Sequence, residues 1–393
     1  MKRIVALGLF VEGFGFTNVL TALFKQLKRY YHIDWVALAH RGPQIDRGYL
    51  IHPSNLQGGD MYGAYQGEAL ARSTNADYVL ILNDVWMFKN YRKTHGASDR
   101  TWKTIAYVPL DGEVTETAWL SDVAFVDALA AYTPGDARQY HRAFRALHDQ
   151  GAIDRFPALT HMPHGVDTNV YHCLPVEEKN ALRRTYFPDC PADALIVLNA
   201  NRFNERKNLK ATLAGFAAAL PHAERPLRLC LHLPGLAAHH RKELDGWVAT
   251  MGLGDHLILN PLGDAYVASA TLNALYNCCD IGVNTSHGEG WGLISFEHAA
   301  AGGAQIVPQH SAPASIWEHA ALFLSRTDPC MIPNNPFRMY HVSSSDLTQH
   351  LVALANDRGL LVEWQERSRA HACRPDFDWA VIADRWYHFL EGL

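Results

Sequence analysis

His287-Gly288-Glu289-Gly290-Trp291-Gly292-Leu293-Ile294-Ser295-Phe296-Glu297 sets three alternating glycines ahead of an apolar run that carries one glutamate. On either side, Asp280-Ile281-Gly282-Val283-Asn284 reads as a short buried strand, residues 293–301 as a helix, and Ala304-Gln305-Ile306-Val307-Pro308 as the strand after it. Strand, glycine-rich turn and helix N-terminus together suit a phosphate. Glycine lets the backbone come close, and free N–H groups with the helix dipole favour negative charge.

Glu289 and Glu297 stand eight positions apart. On one continuous helix that is roughly 80° of rotation, so they would not share a face. With Glu289 in the turn and Glu297 one turn into the helix, both can line one ligand, and carboxylates accept hydrogen bonds from sugar hydroxyls. Taken alone, the pair is equally well described as a solvated loop residue and an N-terminal helix charge.

This stretch resembles the Glu-x7-Glu signature of retaining glycosyltransferases of family 4. The resemblance implies the GT-B fold, an α/β architecture of two Rossmann-like domains with parallel sheets facing across a cleft. It implies that Glu297 holds a nucleotide ribose and that Glu289 contacts the donor sugar. The backbone of Gly290, Trp291, Gly292 and Leu293 would meet the donor diphosphate. Leu275-Tyr276-Asn277-Cys278-Cys279-Asp280 is also similar to that family.

A second stretch carries positive charge. Residues 194–198 read as a strand and 209–219 as a helix, with Asn199-Ala200-Asn201-Arg202-Phe203-Asn204-Glu205-Arg206-Lys207-Asn208 between them. Basic residues between a strand and a helix are placed to meet an anion. Arg202 and Lys207 match the family's Arg and Lys, and by resemblance they neutralise the diphosphate. Arg206 reads as a solvated neighbour.

Composition bounds the class. The chain has 393 residues, 48% hydrophobic and 19% charged, which favours more than one domain in an ordinary α/β protein. A formal net charge of -5 gives no basic footprint for nucleic acid. Cys173, Cys190, Cys230, Cys278, Cys279, Cys330 and Cys373 form no Cys-x-x-Cys pair and read as reduced thiols of a cytoplasmic protein. Among 22 histidines, no zinc spacing is convincing, and His161-Met162-Pro163-His164 reads as structural. Met1-Lys2-Arg3 with residues 4–11 lacks a cleavage site and is interrupted by Glu12, so it reads as a first strand, not a signal peptide. No apolar run approaches the ~20 residues of a membrane span.

The first half alternates strands and helices. Residues 4–9 form a strand, 10–16 a loop, 17–30 a helix capped by Thr17, and 34–39 a strand, implying a parallel sheet with ligands at its carboxyl ends. By resemblance, the loop with Gly13, Gly15 and Phe16 touches the donor phosphate or the acceptor. Asn18 replaces the third glycine of a dinucleotide fingerprint, which disfavours NAD. Further strands at 78–82 and 104–108 end in Asp84 and Asp111, each a site candidate or a turn-capping aspartate. Asp111 stands near where the family has a sugar-contacting histidine. A strand at 128–132 is followed by Thr133, where the family often has a small hydroxyl residue, and residues 141–148 read as a helix. Pro163-His164-Gly165-Val166-Asp167 resembles the family's hinge, with His164 for asparagine and a hinge-packing role. Residues 328–339 read as a Pro- and Asn-rich loop. Asp376-Phe377-Asp378 reads as a helix cap, not a metal motif.

The expected organisation is an acceptor-binding domain over residues 1–170, a donor-binding domain over 181–375, and a C-terminal helix, 379–393, packed back onto the first. The expected activity is retaining transfer of a sugar from a nucleotide-diphosphate sugar to a glycan, lipid-linked or other hydroxyl acceptor, in glycan or polysaccharide biosynthesis. Arg202, Lys207, Glu289 and Asp111 are the catalytic candidates, with no metal and no cofactor. Lys25-Gln26-Leu27-Lys28-Arg29 suits either weak membrane contact or a solvated helix face. Rival readings are another GT-B enzyme (a nucleotide-sugar epimerase or phosphorylase), a non-catalytic nucleotide-sugar-binding protein, and an NAD-dependent oxidoreductase.

Overall fold

The computed structural model describes every residue except Asn334. The chain divides into two compact units, Met1–Gly165 with Asp376–Leu393, and Val166–Pro375.

In chain order the first unit holds β1 (Arg3–Leu9), α1 (Gly15–Leu27), β2 (His32–Leu38), β3 (Ile45–Asp46), β4 (Leu50–Pro53), α2 (Ala64–Ser73) and β5 (Tyr78–Leu82). It continues with α3 (Arg92–His95), β6 (Lys103–Val108), β7 (Ala128–Ala131), α4 (Pro134–Asp149) and β8 (Ala158–His161). The second unit holds α5 (Val176–Tyr186), β9 (Leu195–Asn199), α6 (Leu209–Ala219), β10 (Leu227–Leu231), α7 (Ala238–Thr250), β11 (Leu257–Leu259) and α8 (Ser269–Asn277). It continues with β12 (Ile281–Val283), α9 (Leu293–Ala300), β13 (Ala304–Pro308), α10 (Ser311–Ile316), β14 (Leu322–Leu324), β15 (Arg326–Cys330), β16 (Met339–Val342), α11 (Ser344–Asn356) and α12 (Arg358–Ala372). The last helix, α13 (Trp379–Glu391), returns to the first unit.

The first sheet runs β3-β4-β2-β1-β5-β6-β7-β8, parallel except for the β3–β4 pair. The second runs β11-β10-β9-β12-β13-β14, all parallel. Central strands β1, β5 and β9 are continuous apolar runs because helices cover both faces of a parallel sheet. In each sheet the strand order reverses beside a central strand, between β1 and β5 and between β9 and β12. Loops leaving the carboxyl ends on either side of such a reversal diverge and leave a crevice between them.

Several local expectations are corrected. Thr17 does not cap α1, which starts at Gly15; its hydroxyl donates to the Leu9 carbonyl at 2.9 Å and accepts from the Val11 N–H at 2.9 Å, tying the glycine loop to β1. The helix expected at 141–148 begins at Pro134, where Thr133 accepts from the Asp136 N–H and proline supplies a preset φ. Residues 328–339 are not wholly loop, because β15 and β16 pair as an antiparallel hairpin. β3, β4 and α5 were not read from the sequence; the two strands are short, and α5 buries no residue and so has no strong apolar stripe.

Asp378 accepts from the Ala380 N–H at 2.6 Å and caps α13, as expected of the Asp-x-Asp pair. α13 packs beside the end of α1 and the start of β5, with Tyr30 stacked on Tyr387 at 4.4 Å, Tyr78 Oη donating to the Leu390 carbonyl at 2.7 Å, and Arg29 paired with Asp384 at 2.6 Å. Lys28 donates to the Arg47 carbonyl, so the basic stretch engages neighbouring groups of its own unit. Among the described residues, no helix is long and apolar enough to cross a membrane.

Gly282 positions α9. A Cβ there would stand 2.5 Å from His298 Nδ1 and 2.6 Å from Gln305 Oε1, both buried. His298 donates from Nε2 to the Cys279 carbonyl and accepts from Gln305 at Nδ1, so it cannot swing away without losing both. Gly282→Ala is expected to push α9 off β12 and cost about 1–3 kcal/mol, the range for overpacking a core; the shift of a denaturant midpoint measures it.

Candidate functional site

The crevice of the second sheet lies between the loops that follow β9 and β12. Both stretches singled out from the sequence are these loops, residues 200–208 and 284–292. A buried polar chain joins them. Asn199 Nδ2 donates to Thr212 Oγ1 at 2.9 Å, Thr212 to Thr285 Oγ1 at 2.8 Å, and Thr285 to the Asn208 carbonyl at 3.0 Å. Asn204 caps the short turn before Lys207, and Asn208 sits in the left-handed region at φ 47°, so the backbone turns and presents Lys207 inward. The His287 N–H then donates to the Arg206 carbonyl at 2.8 Å, a second tie between the loops.

Lys207 and Glu289 meet in this crevice as a buried ion pair. Glu289 Oε2 also accepts from Ser286 Oγ at 3.3 Å and Asn284 Nδ2 at 3.4 Å. Burial pushes the Glu289 carboxyl up, but Lys207 and Arg206 outweigh it and bring it from 4.5 down to about 2. Arg206 is not solvated as expected. Its guanidinium donates to the Gly288 carbonyl at 2.5 Å and lies 3.7 Å from Glu289 Oε1. Arg202, by contrast, is exposed on the same loop. The Glu289 backbone is pinned on both sides, its N–H donating to Ser311 Oγ and its carbonyl accepting from the Ala312 N–H, each at 3.1 Å.

Past Glu289 the chain enters α9. Gly292 is its N-cap at φ 93°, a conformation that strains any residue with a Cβ. Gly290 is buried, while Gly292 and Leu293 are partly open. Trp291 turns its ring into the core and stacks on Phe296 at 5.1 Å, leaving its backbone as the part suited to an anion. Glu297 lies in the second turn of α9, buried, and accepts from Tyr276 Oη at 3.1 Å. Burial raises its carboxyl to about 7, with Tyr276 and Tyr171 pulling the other way. Sequence reading marked Tyr276 as family-like without assigning it a contact, and it missed Tyr171.

In the first unit, Gly13 is exposed at φ 78°, Gly15 begins α1 and Phe16 is half-buried, all just past the carboxyl end of β1. Asp84 follows β5 and Asp111 follows β6, both partly exposed. Asp136, at the start of α4, was missed, although Thr133-Pro134-Gly135-Asp136 is a recognisable helix start. Burial raises its carboxyl to about 7, with the nearby Asp111 adding to the shift. Asp136 Oδ2 and Tyr132 Oη are buried with no hydrogen-bond partner among the described residues. Burial raises the Tyr132 and Tyr140 hydroxyls, and Asp84 and Asp111 add to both shifts. His164 is a packing residue, its Nδ1 held 2.7 Å from Tyr107 Oη and its ring against Tyr132.

No protein-family profile matches the sequence, and no curated protein matches it. Solved structures do. Sucrose-phosphate synthase from Thermosynechococcus elongatus is similar at a TM-score of 0.74 and 14% identity, over 100% of this chain and 99% of that one. Anabaena HepE, in complex with UDP and glucose, is similar at 0.73 and 14% over 100% of both chains. WaaG, a glycosyltransferase involved in lipopolysaccharide biosynthesis, is similar at 0.69 and 11% over 100% of both. The chain has the GT-B fold, and these structural neighbours are glycosyltransferases.

Removing one partner of the buried pair leaves the other charge uncompensated. Lys207→Ala is expected to cost about 3 kcal/mol, less than for an isolated pair because Arg206 remains, and Lys207→Met with Glu289→Leu to recover most of it; chemical denaturation reads both. The pH dependence has a definite sign. Glu289 is depressed, so its contribution is lost as pH falls from about 4.5 toward 2. Glu297 is raised, so its contribution is lost as pH rises from about 4.5 to 7.

Proposed function

We propose that the chain is a retaining glycosyltransferase of the family 4 kind, transferring a sugar from a nucleotide-diphosphate sugar to an acceptor hydroxyl. The observation that supports this best is the convergence of Lys207, Arg206, Glu289 and the Gly292 end of α9 on the β9–β12 crevice, with Glu297 one turn further along.

In this reading Glu297 accepts from the ribose hydroxyls and Glu289 from the donor sugar. The backbone from Gly290 to Leu293 receives the diphosphate. Negative charge develops on the leaving diphosphate, and Lys207, Arg206, the exposed Arg202 and the α9 N–H groups stabilise it. These cations and dipoles supply the stabilisation that a metal supplies elsewhere, so transfer proceeds without one. Lys207 is held against Glu289 and exchanges part of that contact for the phosphate. Within the first unit, Gly13, Gly15, Phe16 and Asp111 are the residues placed to meet the acceptor. The acceptor is a glycan, a lipid-linked sugar or another hydroxyl compound. The seven free thiols suit a reducing compartment such as the cytoplasm.

Thermal stabilisation by nucleotides and nucleotide sugars, without added metal, tests the reading. UDP and UDP-glucose come first because HepE was crystallised with both. A ligand at a hundred times its Kd stabilises by about 2.7 kcal/mol. A response to NAD or a sugar phosphate, with none to any nucleotide diphosphate, would overturn it. Lys207→Ala is expected to lower transfer by at least ~10²-fold, the scale for losing a transition-state contact; Glu297→Ala, through lost ribose binding, and Asp111→Ala are expected to lower it too. Because the Glu297 carboxyl sits at about 7, affinity for a nucleotide sugar should rise about tenfold between pH 6 and 8. Glu297→Gln should flatten that rise, as read by calorimetric titration.

A further inference from the structure

The β15–β16 hairpin brings metal-ligating side chains to the loop that carries Glu289. In its antiparallel register Cys330 stands opposite Met339, so His341, two residues on, projects from the same face as Cys330. His287, in the loop after β12, completes a group of three. One ligand atom from each of His287, Cys330 and His341 lies within 4.8 Å of the others. The two imidazole rings are 4.5 Å apart at their centroids and perpendicular.

A second observation concerns the tautomer. His287 Nδ1 lies 3.3 Å from the Tyr340 carbonyl. A carbonyl only accepts, so Nδ1 carries the proton and Nε2 keeps its lone pair. Histidine ligands of metals are oriented in this way, with the other ring nitrogen donating to a carbonyl or carboxylate. The hairpin is fastened at the same place by the Tyr340 N–H donating to the His287 carbonyl at 3.0 Å.

We propose that His287, Cys330 and His341 form a binding site for a zinc-class divalent cation, which clamps the β15–β16 hairpin to the Glu289 loop. Two imidazoles and one thiolate are borderline-to-soft ligands that select Zn2+ over Mg2+ or Ca2+. Tetrahedral zinc, with bonds of about 2.0–2.3 Å, sets its ligand atoms about 3.5 Å apart. The group reaches that spacing by contracting about its buried member, His287, because His341 is exposed and Cys330 half-exposed. The fourth position is left to water. Binding displaces the thiol proton to solvent, with no change in oxidation state. The cation sits on the hairpin side of the loop and is not part of the transfer chemistry. Its binding is independent of the sugar-transfer reading.

Metal-stripped protein titrated with Co2+ and then Zn2+ tests the proposal without an activity assay. Expected are a cobalt–thiolate charge-transfer absorption that saturates at one equivalent, its loss on adding Zn2+, and a rise in Tm with Zn2+. Cys330→Ser should abolish the absorption. His341→Ala should weaken Zn2+ binding at least about tenfold, as losing a ligand costs no less than losing an outer-shell partner. Both residues reach the surface, and far-ultraviolet circular dichroism verifies that the variants fold. No thiolate absorption at saturating Co2+, an absorption that persists in Cys330→Ser, or unchanged Zn2+ affinity in His341→Ala would each overturn the site.

Discussion

The second unit is arranged around the contact between Lys207 and Glu289. Two opposite charges are buried together, one from the loop after β9 and one from the loop after β12. Each would be costly to bury alone, because a charge removed from water must find compensation in the interior. The pair therefore requires the two loops to sit side by side. The Asn199–Thr212–Thr285–Asn208 chain serves that requirement with neutral hydrogen bonds. A buried pair of this kind adds little net stability, and its value lies in the geometry it imposes. What it imposes is an ionised carboxylate and an ammonium facing one crevice before any ligand arrives.

The two glutamates of the motif show how environment separates like groups. Glu289 is surrounded by Lys207, Arg206 and two polar side chains and stays ionised far below neutrality. Glu297 has tyrosine hydroxyls beside it, and burial raises its carboxyl to about 7. Carboxylates whose environments drive them apart in this way take different roles. The division follows from position: Glu289 stands in a loop reached by basic residues, whereas Glu297 lies on α9, packed toward α8.

Much of this was legible in the sequence. Apolar runs of strand length, alternating with helical patterns, gave the parallel sheets, since strands buried on both faces have to be apolar throughout. Glycine at 292 was readable because the turn into α9 needs a positive φ. Other features were not. The β15–β16 hairpin lies in a Pro- and Asn-rich stretch, where turn-forming composition hides a strand whose pairing is supplied by its neighbour and by His287. Arg206 stood next to Lys207 in a basic loop, and nothing local separates a charge that turns inward from one that faces water. The start of α4 was readable from Thr133 and Pro134, yet its apolar face was recognised only further along.

By itself the sequence determined the element order, the glycine turn and the presence of acidic and basic residues near strand ends, because periodicity, turn chemistry and charge are local properties. Only the tertiary structure decided the strand order, and with it that β9 and β12 are neighbours on opposite sides of a reversal. That adjacency places residues 82 positions apart in one buried ion pair. It depends on how strands pair across long loops, a non-local choice that the burial of both sheet faces settles.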